Sequence, residues 1–219
     1  MDFIHLASKF IHILCGIFVL IIGLWQMIMP KKGSLHRIAG KLYFTLMIVI
    51  FLTALPPSIY SGNWFLASVS IFSLFLVWTG RRYGNMKAKG QGSLTDKWIT
   101  IFGFLSSIFL FIVTILFLLK GNGWFSTVPF VFGVLLFLGS LEDYKYHFLK
   151  LNAKRFGNMH WYFMHFTRMI GSYIAATTAF LVNVQLLGDG WYIWLTPTLA
   201  VTVFIAFLTR QYRKKFNLI

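Results

Sequence analysis

Apolar residues along this chain fall into long, nearly unbroken runs separated by short basic connections, and the length of the runs decides the class of protein. A bilayer core takes about 20 apolar residues per helix. Runs of that order recur at 10–29, 42–60, 64–79, 98–119, 124–141, 161–183 and 191–208. The predicted fold is therefore all-α: a polytopic membrane helix bundle with seven transmembrane helices, residues 1–219 forming a single transmembrane domain. Trp64, Trp98, Trp124, Trp161 and Trp191 each open a run, as in an aromatic belt at the membrane–water interfaces.

The sixth run departs from the pattern because it carries His165 and Arg168. A cation at membrane depth is costly, so such a residue is expected to face the bundle interior and to have a partner. On a helix His165, Arg168 and Ser172 share one face. Gly171, Ala175 and Ala179 repeat a small residue at every fourth position, the spacing that lets two membrane helices approach closely. The sixth helix is thus expected at the centre of the bundle. In the first run His5, Lys9, His12, Gly16 and Gly23 share a face, and the glycines predict that this face packs inward and carries His12 with it. Pro56 and Pro57 are expected to end the second helix, and Pro197 to kink the seventh.

Composition agrees with the membrane class: 58% hydrophobic, 11% charged, mean hydropathy +0.74. A net charge of +15 would suggest nucleic acid for a soluble protein. Here the basic residues sit in short clusters between apolar runs, which excludes that partner. Of the 20 Lys and Arg residues, all but Lys9, Lys120 and Arg168 fall on alternate connections or the C-terminal segment. The positive-inside rule then places the N-terminus outside and the C-terminus in the cytoplasm. The outer connections, 61–63, 121–123 and 184–190, are short turns. Lys31, Lys32, Arg37 and Lys41 are positioned to attract anionic lipid headgroups at the inner face. The single cysteine, Cys15, excludes an internal disulfide. The first run is too long, and lacks the basic start, for a cleaved signal, so it is expected to remain a helix.

Candidate chemistry gathers at the inner boundary. His36, His147, His160 and His165 fall there with Arg37, Glu142, Asp143 and Arg168. A buried Arg168 needs a carboxylate, and Asp143 or Glu142 at the end of the fifth helix is the expected partner. The predicted site is one pocket in which His36 and Arg37 fold back over the inner helix ends to join Asp143, His165 and Arg168. His36 and His165 would act as ligands or proton carriers, Arg37 and Arg168 as anion clamps, and Asp143 as the balancing charge. His12 is a further cofactor-binding candidate, entering from the outer half. His36, His147 and His165 are the candidate metal ligands. A b-type haem needs histidines from different helices at similar depth, which His165 with His36 or His147 supplies. Zinc has less behind it, since no HExxH or paired-cysteine spacing is present and His160 and His165, five apart, diverge by about 140° on a helix. The seventh run has no lysine for a retinal Schiff base, and no phosphate-cradling glycine loop occurs.

Taken together, His12-x3-Gly16-x6-Gly23, Lys32-Gly33-x2-His36-Arg37-x2-Gly40, a late Asp143 and His165-x2-Arg168-Met169 resemble an uncharacterised family of bacterial multi-pass membrane proteins of unknown function. The resemblance covers most of the chain. It implies a multi-pass protein of the bacterial plasma membrane whose His and Arg positions form a shared feature, and it implies no activity. The expected function is that of an integral membrane protein whose His/Arg/Asp pocket binds haem b or a quinone for membrane redox chemistry. The rivals are a small proton-coupled transporter, with His12 in an outer gate, and a structural subunit in which Arg168 and Asp143 fix helix register.

Overall fold

The computed structural model describes residues 2–29, 33–86, 92–151, 156–184 and 192–216. Among these there are seven α-helices and no strand: α1 (Asp2–Ile28), α2 (Ser34–Tyr60), α3 (Trp64–Met86), α4 (Leu94–Leu119), α5 (Gly123–His147), α6 (His160–Asn183) and α7 (Tyr192–Lys215), with a 3-10 turn, Gly157–Met159, leading into α6. Lys31, Lys32, Lys87, Lys89, Lys154, Arg155, Trp191, the connection after Val184, and the side chains of His5 and Trp124 lie outside the described residues. Five helices, α1 to α5, are long and apolar enough to cross a membrane. α6 and α7 have 24 residues each and are not among those five. His160, His165 and Arg168 dilute the apolar content of α6.

At the basic end of the bundle the helices overrun their apolar stretches. α2 starts at Ser34 instead of 42, α3 continues to Met86 instead of 79, and α5 reaches His147 instead of 141. Hydropathy measures only the length that lipid demands, whereas backbone hydrogen bonding carries the helix on into the polar interface. Gly33 permits the early start of α2, because it takes φ 117°, a conformation that residues with a Cβ rarely adopt. As a result His36 and Arg37 do not fold back as a loop; they occupy the first turn of α2. At the opposite end α2 runs through Pro56 and Pro57 to Tyr60. The two prolines sit in its last two turns, where the backbone bonds they forgo are few.

The most buried helix is α3, with 11 of its 23 residues buried against 9 of 24 in α6. In the most apolar 18-residue window of α3 56% of residues are buried, against 11% for α1 and 17% for α2. Small residues along α3 allow this crowding. Ser68, Ser70 and Ser73 return their hydroxyls to carbonyls of their own helix at 2.8, 3.0 and 2.8 Å, so each is satisfied without a partner from outside. α6 lies along α3 with its own small stripe inward: a Cβ on Gly171 would stand 3.3 Å from Leu76, and Ala175 is buried among Phe72, Phe75, Leu110 and Leu136. Phe72 of α3 stacks on Phe132 of α5 at 4.3 Å between centroids. On α1 only one of the two glycines serves a close contact. Gly23 faces Tyr43 and Tyr173, while nothing lies within 4 Å of Gly16. Phe10, Ile17 and Ile21 leave an apolar exterior on α1, as a lipid-facing helix has.

Candidate functional site

One face of α3, toward the basic end of the bundle, is built around Arg168. Its guanidinium donates from Nη2 to Asp143 Oδ1 of α5 and to the Gly139 carbonyl, both at 2.9 Å, and from Nη1 to Thr79 Oγ1 at 3.2 Å. Phe75 presents its ring 4.9 Å away. Tyr83 donates its hydroxyl to the same Asp143 oxygen at 2.7 Å. Both members of the ion pair are buried, with side chains 6% and 1% exposed. A buried charge is tolerable only when paired and hydrogen-bonded, and this one is both. The partner of Arg168 is thus Asp143, one of the two expected carboxylates. Gly139 supplies a bare stretch of α5: a Cβ there would lie 3.2 Å from the guanidinium.

Next to the pair stand two imidazoles. His147 stacks on Tyr83 at 5.5 Å, and His160 meets Tyr83 at 5.7 Å and Tyr146 at 4.3 Å, between ring centroids. Both rings are buried. Nδ1 of His147 and both ring nitrogens of His160 have no hydrogen-bond partner among the described residues. A second ion pair lies at the junction of α3 and α4. Arg82 grips Asp96 with Nε to Oδ1 at 2.6 Å and Nη2 to Oδ2 at 2.9 Å, while Asp96 accepts from the Ser93 backbone N–H at 2.7 Å and so caps α4.

The opposite face of α3 opens onto a cavity of about 660 Å³ bounded by α1, α2, α3, α6 and α7. Its volume is that of a small-molecule site. His36, Arg37 and Lys41 of α2, Arg81 of α3 and His165 of α6 line it, with Trp161, Tyr162, Phe166 and Tyr212 supplying an aromatic wall. His165 Nδ1 lies 2.7 Å from the Gly80 carbonyl. A carbonyl only accepts, so Nδ1 carries the proton, and in the neutral ring Nε2 then holds the lone pair. The ring is held tightly, because a Cβ on Gly84 would come within 2.7 Å of Nδ1. Farther along the wall Tyr43 and Ser172 meet at 3.1 Å; Ser172 gives its proton to the Met169 carbonyl, so Tyr43 is the donor.

The structure therefore divides the expected pocket in two. His36, Arg37 and His165 line the cavity. Arg168 and Asp143 turn away from it, because three residues along a helix rotate a side chain by about 60° and carry Arg168 past the crest of α3. His147 stands with the ion pair, so the expected metal set of His36, His147 and His165 is not gathered at one point. Among the described residues no group of three or more His, Cys, Asp or Glu is arranged to hold a metal ion. His12 belongs to neither place: its Nδ1 lies 3.0 Å from Thr53 Oγ1, joining α1 to α2. Tyr83, Arg81 and Arg82 were not singled out by the apolar pattern, since all three follow the end of the third apolar run. The Ser93-x-x-Asp96 spacing ahead of an apolar run does signal the cap of α4. No protein-family model matches this chain, and no curated protein or solved structure matches it.

Proposed function

We propose that this is a seven-span integral protein of the bacterial plasma membrane, with its N-terminus outside, whose cytoplasmic-side cavity holds an amphipathic redox ligand, haem b or a quinone. The observation that carries the reading is His165. Its Nδ1–H is tied to a backbone carbonyl, the arrangement that orients an imidazole as a ligand through the other nitrogen, and its ring lines a cavity of ligand size. Haem b fits the donor set: His165, with His36 from a different helix, would hold the iron, and Arg37, Lys41 and Arg81 would take the propionates. When bound, haem supplies one-electron transfer. Trp161 and Phe166 offer aromatic faces to a flat ring system, and α7 closes the cavity with Phe204 and Leu208. A quinone would use the same aromatic wall and accept a hydrogen bond at one carbonyl.

The test is an absorption spectrum of protein purified from haem-replete cells, alongside organic extraction of bound quinone. A Soret band lost in His165→Ala supports haem. A colourless protein with no extractable quinone contradicts the redox reading. A second reading, a proton-coupled carrier, is favoured by the buried imidazoles His147 and His160 beside the Tyr83–Asp143–Arg168 chain. It predicts proteoliposome flux that Asp143→Asn abolishes.

A further inference from the structure

Cations at the basic end of this bundle are treated in two ways. Arg168 and Arg82 each have a carboxylate at hydrogen-bond distance, Asp143 and Asp96. Arg37, Lys41 and Arg81 have none among the described residues, and no Asp or Glu lines the cavity they share. Arg81 and Arg82 are neighbours in sequence, yet they part company: Arg82 reaches α4 and its acid, whereas Arg81 turns to the cavity and rests over Phe44 at 4.6 Å. Three like charges around an apolar, aromatic-walled space repel one another, and that repulsion is relieved when an anion enters.

We infer that the cavity is selective for an amphiphile bearing two oxyanionic charges on an apolar body, its anionic groups clamped by Arg81, Arg37 and Lys41. The inference rests on the reading of the cavity as a ligand site and narrows it. The shared chemistry has two sources, the paired carboxylates of haem or the phosphate monoester of a membrane lipid. A neutral quinone does not satisfy it. Arg81 is the discriminating residue, because it is half-buried where Arg37 and Lys41 stand exposed at the rim. Its planar guanidinium suits either a carboxylate pair or a phosphate. Lipid access is open to such a molecule, since α7 packs mainly against α6 and the cavity lies between α7 and the α1–α2 pair.

The experiment titrates the full-length protein in neutral detergent with three probes: haemin, micelles doped with dioleoyl phosphatidic acid, and a short-chain neutral ubiquinone. Binding is read from quenching of tryptophan fluorescence, Trp161 being in the cavity wall. At least one anionic probe is expected to bind roughly tenfold more tightly than the quinone, to weaken about tenfold in Arg81→Gln, and to recover in Arg81→Lys. Arg37→Gln with Lys41→Gln, at the exposed rim where folding is not at stake, is expected to weaken it by a further few-fold. Lys120→Gln, at the other end of the bundle, leaves all three unchanged. Haemin binding that produces a Soret shift lost in His165→Ala identifies haem as the source. Phosphatidic acid binding indifferent to His165→Ala identifies the lipid, in which case the redox reading fails and the charge inference stands. Quinone binding as tight as either anion, or anion binding unchanged in both the Arg81 and the rim variants, overturns the inference even if a bound quinone upholds the redox reading. No binding by any probe overturns both.

Discussion

The two faces of α3 handle positive charge in opposite ways. Toward α4 and α5, Arg82 and Arg168 are locked into Asp96 and Asp143, the first pair tying α3 to α4 and the second tying α6 to α5. Toward the cavity, Arg37, Lys41 and Arg81 face no acid among the described residues. With five acids to 20 basic residues, the chain cannot neutralise every cation. Asp96 and Asp143 both serve the same face. The difference separates fold from ligand: the paired face fixes how the helices meet, and the unpaired face is left with a field that only something from outside can cancel.

The largest effect that would break this comparison is on the paired face. Asp143→Ala leaves the Arg168 guanidinium buried without its counter-charge and is expected to cost about 3–5 kcal/mol, measured by denaturant unfolding in detergent. Adding Arg168→Met in the same chain should restore most of it. If Asp143→Ala is neutral, the pair holds nothing together. Next comes the contact between the faces. Gly84→Leu drives a side chain into His165 and is expected to cost about 1–3 kcal/mol by overpacking. Gly16→Leu, where nothing lies within 4 Å, should be silent by the same unfolding assay. Arg82→Ala should lose roughly 1 kcal/mol at most, because Arg82 is one-third exposed and water replaces part of its attraction to Asp96. Smallest of all, Arg37→Gln with Lys41→Gln should move stability by less than about 0.5 kcal/mol, as exposed residues with no ion-pair partner do.

The helical plan was legible because a long apolar run favours a helix. Each of the seven runs falls on one of the seven described helices, give or take an end residue, and five of those helices are long and apolar enough to cross a membrane. The partner of Arg168 was legible for a similar reason: a buried guanidinium demands an acid, and few acids were on offer. What stayed hidden was governed by helix ends and rotation. Tyr83 and Arg81 lie beyond the apolar part of α3, where hydropathy is silent although the helix continues. His165 and Arg168 share a face on a helical wheel, yet the ridge of α3, made narrow by Gly80 and Gly84, falls between them and sends one to the cavity and the other to Asp143. The heavy burial of α3 was obscured because it is the least apolar of the five membrane-length helices; its serines lower its hydropathy while making it the easiest helix to pack against.

The most direct test is the ligand-induced rise in thermal midpoint of the purified protein and of Arg81→Gln, each measured with and without a saturating anionic probe, haemin or phosphatidic acid. A ligand that binds only the folded state raises the midpoint. The predicted result is equal midpoints without the probe and a clear rise on its addition in the natural protein that is mostly lost in the variant. A midpoint already lowered in ligand-free Arg81→Gln as far as in Asp143→Ala, or an undiminished rise, would contradict the division of α3 into a paired structural face and an unpaired ligand face.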